Sequence, residues 1–231
     1  MAINTELAAL QHVLADPAHG YFFDRWRAVW RLTQLAHTSN GAGPQLTPAD
    51  ARAVIEGLVA GLESVHWGVH RRCKRALETL QHQPLIEAVC DLIIERGLLQ
   101  LRDIAVSARY EPHDPLSKAA YLFVLGRQQF YKTYDPDGEL LEHFYVTAAA
   151  PIRGHLLGLA RFRDDHSWPQ AVLKTLQARG GATLSESELE AALEVLPRQH
   201  GWEELWEIVQ TSPLPWSWRA ARTLFNAGWQ P

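Results

Sequence analysis

The residues best placed to do chemistry lie in one short stretch, Glu63 to Arg75. Arg71, Arg72, Lys74 and Arg75 form the densest basic cluster in the chain, with Trp67 and His70 beside them. Val69, Cys73, Ala76, Leu77 and Leu80 recur at helical spacing in the same stretch, which puts Arg71, Lys74 and Arg75 opposite an apolar stripe. Two readings fit that placement. One is a solvated face; the other is an electropositive ridge that docks an acidic partner or phosphates, a reading that the adjacent Trp67 strengthens slightly. Glu63, His66 and His70 are also spaced so that three metal ligands could project from one side. The HExxH order is missing, because Trp67 follows His66, and no other His or Cys pairs with the group. Solvated or interface histidines, and no metal, are therefore expected.

Other candidates have structural explanations. Asp135 and Asp137 look like an acid/base pair, but Pro136 separates them and Gly138 follows, so a turn and a helix cap account for both carboxylates. Asp164-Asp165-His166 ends a helical pattern with no Ser or Cys in a nucleophile setting, which leaves a triad unsupported. Neither a GxGxxG nor a GxxxxGK loop occurs. No catalytic residue and no cofactor are expected. Among the nine Trp, Trp26 with Trp30 and Trp202 with Trp206 sit four apart, the spacing of helix packing. Trp216 and Trp218 differ, because residues two apart cannot share one helix face, so one of them is expected to be exposed. The expected partner-binding set is Trp67, His70, Arg71, Lys74, Arg75, Trp216 and Trp218.

The elements that must position these residues read as helices throughout. Asn4 or Thr5 caps a first helix through Leu14, and a second runs from about Tyr21 to His37. Ser39 to Pro44 is the clearest loop. Thr47-Pro48-Ala49-Asp50 matches a capping box and starts a third helix, His66 to Gln81 forms a fourth, Pro84 opens a fifth closed by Gly97, and Leu98 to Ala108 a sixth. Asp114-Pro115 starts a run that Asp135-Pro136-Asp137-Gly138 and Ala150-Pro151 divide into three apolar stripes. Trp168-Pro169 begins another helix that Gly180-Gly181 stops. Ser185 and Glu188 repeat the capping-box spacing, and two further helices carry Trp202 to Ile208 and Pro215 to Ala227. No period-two run of β-branched residues appears, so the fold class is all-α.

A chain of 231 residues with 47% hydrophobic and 21% charged residues has the composition of a folded domain. Its formal net charge of -4 provides no global field to gather nucleic acid or acidic membrane. Cys73 and Cys90 form neither a CxxC pair nor a disulfide framework, which fits a reducing, cytoplasmic setting. No secretory signal and no apolar stretch long enough to span a bilayer is read.

Helix pairs recur at roughly 40 residues, the period of HEAT and armadillo units, in which each pair leaves a face for the next to cover. A globular helical bundle is the competing arrangement. The run Tyr121-Leu122-Phe123 through Phe130-Tyr131, Asp135-Pro136-Asp137 and Leu140-Leu141 resembles the HEAT-like helical region that accompanies WD-repeat propellers in a group of bacterial proteins. Trp202-Glu203-Glu204-Leu205-Trp206 and Ala227-Gly228-Trp229-Gln230-Pro231 are similar to the end of that region. Residues 1 to about 45 carry no match to it, and no Trp-Asp-containing strand repeats follow Pro231, which leaves open an excised portion or a stand-alone relative. The resemblance and the recurring helix pairs imply a right-handed α-solenoid of stacked antiparallel helix pairs in one domain, 1–231, with 45–229 the HEAT-like pairs, while the Ser39 to Pro44 loop sets residues 1–38 apart as an N-terminal capping hairpin. The resemblance implies a non-catalytic protein-protein interaction scaffold, its partner another protein or an adjacent domain such as a propeller. HEAT-like alkylpurine DNA glycosylases and phycobilin lyases are the enzymatic alternative; a glycosylase needs a basic concave surface with Trp and an acidic residue aimed at a flipped base.

Overall fold

The computed structural model describes residues 2–15, 22–38, 46–162 and 184–230. Among these there are thirteen α-helices, one 3-10 turn and no strand, and no helix is long and apolar enough to cross a membrane. The loop expected at Ser39 to Pro44, the Asp164-Asp165-His166 group and the helix expected after Trp168-Pro169 lie outside the described residues. The chain divides into two compact units, Met1–Ile93 with Gly97–His113, and Ile94–Arg96 with Asp114–Pro231.

The first unit carries α1 (Ala2–Ala15), α2 (Phe22–Thr38), α3 (Pro48–Leu62), α4 (Trp67–Glu78), most of α5 (Gln83–Arg96) and α6 (Leu99–Ala108). The expected capping box starts α3: Thr47 Oγ1 accepts from the Asp50 amide at 3.2 Å, and Asp50 Oδ2 accepts from the Thr47 amide at 3.2 Å. At the far end of α4, Tyr110 Oη accepts from the Leu80 amide at 2.8 Å and donates to the Leu77 carbonyl at 2.9 Å. One buried phenol thus satisfies both an orphan carbonyl and the amide beyond the helix end. Sequential helices pack together from α1 to α4, and α1 also touches α3, α2 touches α4, and α4 touches α6. Alternate helices therefore stack as well as neighbours. The core they share includes Leu7, Leu32, Ile55, Leu58, Leu77 and Leu92, each at most 1% exposed.

The second unit begins with α7 (Pro115–Leu125), capped by Asp114, whose Oδ2 accepts from the Ser117 amide at 2.8 Å. One helix was expected to continue to Asp135, but Gly126 takes φ 73° and ends α7, and a separate short helix, α8 (Gln128–Tyr134), follows. Glycine enters this left-handed conformation without the Cβ penalty other residues pay, so it terminates the helix where the apolar run gives way to Arg127, Gln128 and Gln129. Asp135 then plays the expected structural part: its buried carboxylate accepts from the amides of Leu140 and Leu141 at 3.2 and 3.0 Å, closing the start of α9 (Glu139–Thr147). Next come α10 (Ala150–Phe162), α11 (Glu186–Val195), a 3-10 turn (Leu196–Gln199), α12 (Trp202–Thr211) and α13 (Trp216–Asn226).

Three of these helices meet on one carboxylate. Glu188, on α11, completes the expected capping box with Ser185, whose amide reaches Glu188 Oε2 at 2.9 Å. It is also fully buried. Arg153 Nε of α10 bonds to Glu188 Oε1 and Nη2 to Oε2 at 3.1 Å, while Nη1 reaches the Ala148 carbonyl at 2.8 Å. Tyr145 of α9 donates to the same Oε1 at 2.9 Å. A buried ion pair is tolerable only when its remaining lone pairs and protons are used, and here nearly all are. Burial pushes the Glu188 carboxyl up, but the bonds from Arg153 and Ser185 outweigh that push and hold it below its ordinary 4.5.

A carboxyl held low binds its proton less tightly when folded than when unfolded. Its stabilisation is therefore complete above pH 4.5 and is lost as pH falls below that value. Glu188→Gln should cost about 3–5 kcal/mol at pH 7, because Arg153 is left buried without its charge partner. Urea titrations of both proteins between pH 7 and pH 3 should show the gap between them narrowing on the acid side; a gap independent of pH would contradict this assignment.

Candidate functional site: an arginine-tryptophan groove

The amphipathic character expected of α4 is what the structure shows. Val69, Cys73, Ala76 and Leu77 are buried, while Trp67, Arg71, Lys74 and Arg75 are exposed. The glycines of α3 make room for this seating. A Cβ at Gly61 would run into Cys73 Sγ, and one at Gly57 would stand 2.8 Å from Leu32 Cδ1 of α2. These two glycines, one turn apart, let α4 and α2 both approach α3 closely. Burial pushes the Cys73 thiol from its ordinary 9.0 up to about 12, although the Arg72 charge pulls slightly the other way. At neutral pH the thiol is protonated and is no nucleophile.

Between α2 and α4 lies a cavity of about 570 Å³, bordered by Trp26 and Thr33 on one side and by Trp67, Arg71, Arg72 and Arg75 on the other. The Arg71 guanidinium lies 5.1 Å from the centre of the Trp67 ring, and that of Arg72 lies 5.0 Å from the Trp26 ring. Both distances are within cation-π range. Arg72 Nε is closed off from solvent and has no hydrogen-bond partner. The described lining contains three cations and no carboxylate.

The expected site residues separate into three places. Trp67, Arg71 and Arg75, spaced four apart, form one ridge and face the cavity beside α2. His70 and Lys74 form the adjacent ridge and face α6 across a smaller hollow of about 310 Å³, together with Glu78, Asp103 and Ser107. There His70 Nδ1 lies 2.7 Å from the Leu62 carbonyl, which fixes Nδ1 as the donor, and Lys74 stands 3.9 Å from Glu78. Glu63, His66 and His70 do not converge, and among the described residues no group of three His, Cys, Asp or Glu is placed to hold a metal ion. Trp216 and Trp218 belong to α13 in the second unit. Trp216 is half-buried with Arg219 4.9 Å from its ring, and Trp218 is 57% exposed with Arg222 5.5 Å from its ring.

Trp26 and Arg72 also line the groove and are absent from the expected set. Trp26 reads as packing because of its spacing from Trp30; its seven-residue spacing from Thr33, which also lines the cavity, is the signal that places it here. Arg72 lies nearer the apolar stripe than its neighbours, and only the presence of Trp26 across the gap turns it into a lining residue.

If the Gly61 to Cys73 approach seats α4, Gly61→Ala should overpack it at a cost of about 1–3 kcal/mol, partly offset by up to about 1 kcal/mol of helix propensity. Cys73→Ala added to Gly61→Ala should recover most of the loss. A double-mutant cycle in urea giving no coupling would show that the two positions do not determine each other.

No family model, curated protein or solved structure matches the chain, so its own residues carry what can be said of this groove.

Proposed function

We propose that this protein is a non-catalytic interaction module, a HEAT-like α-solenoid that docks an acidic segment of another protein or of an adjacent domain along α4. One observation carries the reading: the groove bordered by Arg71, Arg72 and Arg75 with Trp26 and Trp67 is cationic, in a chain whose formal net charge is -4. A local cationic groove on a net-acidic chain selects for negative charge presented at one place, and guanidinium groups beside indoles are the side chains that most often dominate protein interfaces. The stacking of alternate helices in the first unit is the packing a solenoid uses. A DNA glycosylase would direct an acidic residue at its flipped base, and the described lining of this groove supplies none. In this reading the protein works in the cytoplasm and needs no cofactor.

Charge reversal tests the reading. Arg71→Glu with Arg75→Glu alters two exposed side chains opposite the core, so the melting temperature should stay within a few degrees. Capture of protein from nuclease-treated lysate on the wild-type chain should single out acidic partners, and the double variant should lose them. A folded double variant that captures the same partners would overturn the docking role, and capture that disappears on nuclease treatment would move the assignment to nucleic acid.

A further inference from the structure

We propose that the cavity between α2 and α4 receives the phosphoryl group of a phosphoserine or phosphothreonine in the partner segment, an inference that rests on the interaction reading above. Three guanidinium groups border one cavity of about 570 Å³ with no carboxylate among the described lining residues. A carboxylate side chain would neutralise only one of them. A phosphomonoester brings about -1.5 to -2 charges at neutral pH and three acceptor oxygens, so two planar forks can each hold it by paired hydrogen bonds. The cavity has the size of a pocket for several heavy groups, not for an isolated ion, and its Trp26 and Trp67 walls suit the apolar parts of flanking residues.

The arginines are prepared for this task. Arg71 and Arg72 rest on Trp67 and Trp26, which limits the freedom they lose on binding. Arg72 Nε, buried with no hydrogen-bond partner, has a bond to gain when the guanidinium turns toward an anion in the cavity.

The test uses the full chain with three fluorescein-labelled peptides, Ala-Glu-X-Glu-Ala, in which X is phosphoserine, serine or glutamate, and with AMP. Binding is followed by anisotropy, and the site by nitrogen-15 spectra of the arginine Nε–H and indole N–H groups. The phosphopeptide should bind roughly tenfold or more tightly than the glutamate peptide, with saturable shifts of the Arg72 Nε–H and of the Trp26 and Trp67 indoles. Arg72→Lys keeps the charge but removes the fork, so it should weaken the phosphopeptide roughly tenfold while leaving the glutamate peptide within about twofold. Equal binding of the three peptides, abolished by Arg71→Glu with Arg75→Glu, would overturn the phosphoryl assignment and leave the acidic docking role standing. Absence of saturable phosphopeptide binding, or tighter binding of AMP, would also overturn it. Should Arg72→Lys fail to fold, the contrast among peptides on the wild-type chain still decides.

Discussion

Cys73 Sγ occupies the space in which a side chain at position 61 would stand, and the arrangement of the first unit depends on that substitution of sulfur for carbon. Because α3 presents no Cβ there, α4 can sink one half of its surface completely, with Val69, Cys73 and Leu77 at 0% exposure. The other half is then free to be polar without weakening the core. Gly57 does the same for α2 through Leu32, and the two close approaches bring Trp26 and the arginines of α4 to opposite walls of one cavity. The groove is therefore a by-product of core packing, and its chemistry is decided by side chains that the core does not use.

The second unit treats charge in the opposite way. Glu188 and Arg153 are buried, joined to each other, and joined further to Tyr145, the Ser185 amide and the Ala148 carbonyl. An Arg, a Glu and a Tyr gathered within bonding distance look like catalytic machinery when judged by residue type alone. Their polar atoms point at one another, however, and the Tyr145 hydroxyl is held protonated because burial pushes its pKa far up. Such a cluster has a structural result: a single carboxylate fixes the start of α11 against α9 and α10. In the α2–α4 groove three guanidinium groups border a cavity and Arg72 Nε has no hydrogen-bond partner, which is the arrangement a ligand can change.

What the amino-acid order makes legible follows from distance along the chain. Caps are local, so Thr47 with Asp50, Asp114, and Ser185 with Glu188 mark helix starts that the structure reproduces. The exposed ridge of α4 is legible for the same reason, since 3.6-residue periodicity alone puts Arg71 and Arg75 opposite Val69 and Cys73. The stop at Gly126 is local too, a glycine followed by the polar Arg127, Gln128 and Gln129, but the stronger breaker Asp135-Pro136-Asp137-Gly138 draws the expected helix past it. Long-range pairings are least legible. Arg153 reads as an interruption in the stripe of Ile152, Leu156 and Leu157, and its partner lies 35 residues away. Trp26 has the same difficulty, since its place in the groove requires knowing that α2 packs beside α4.

The proposed docking role rests on one surface, where helix packing leaves arginines beside indoles with no acidic residue to answer them among the described lining. Hydrogen–deuterium exchange of the chain, alone and saturated with a partner captured from lysate, tests that claim most directly, because it maps contact without altering the protein. Docking in the groove predicts slowed exchange concentrated in α2 around residues 26–33 and in α4 around residues 67–78. Protection confined to α12 and α13, with α2 and α4 unchanged, would contradict it.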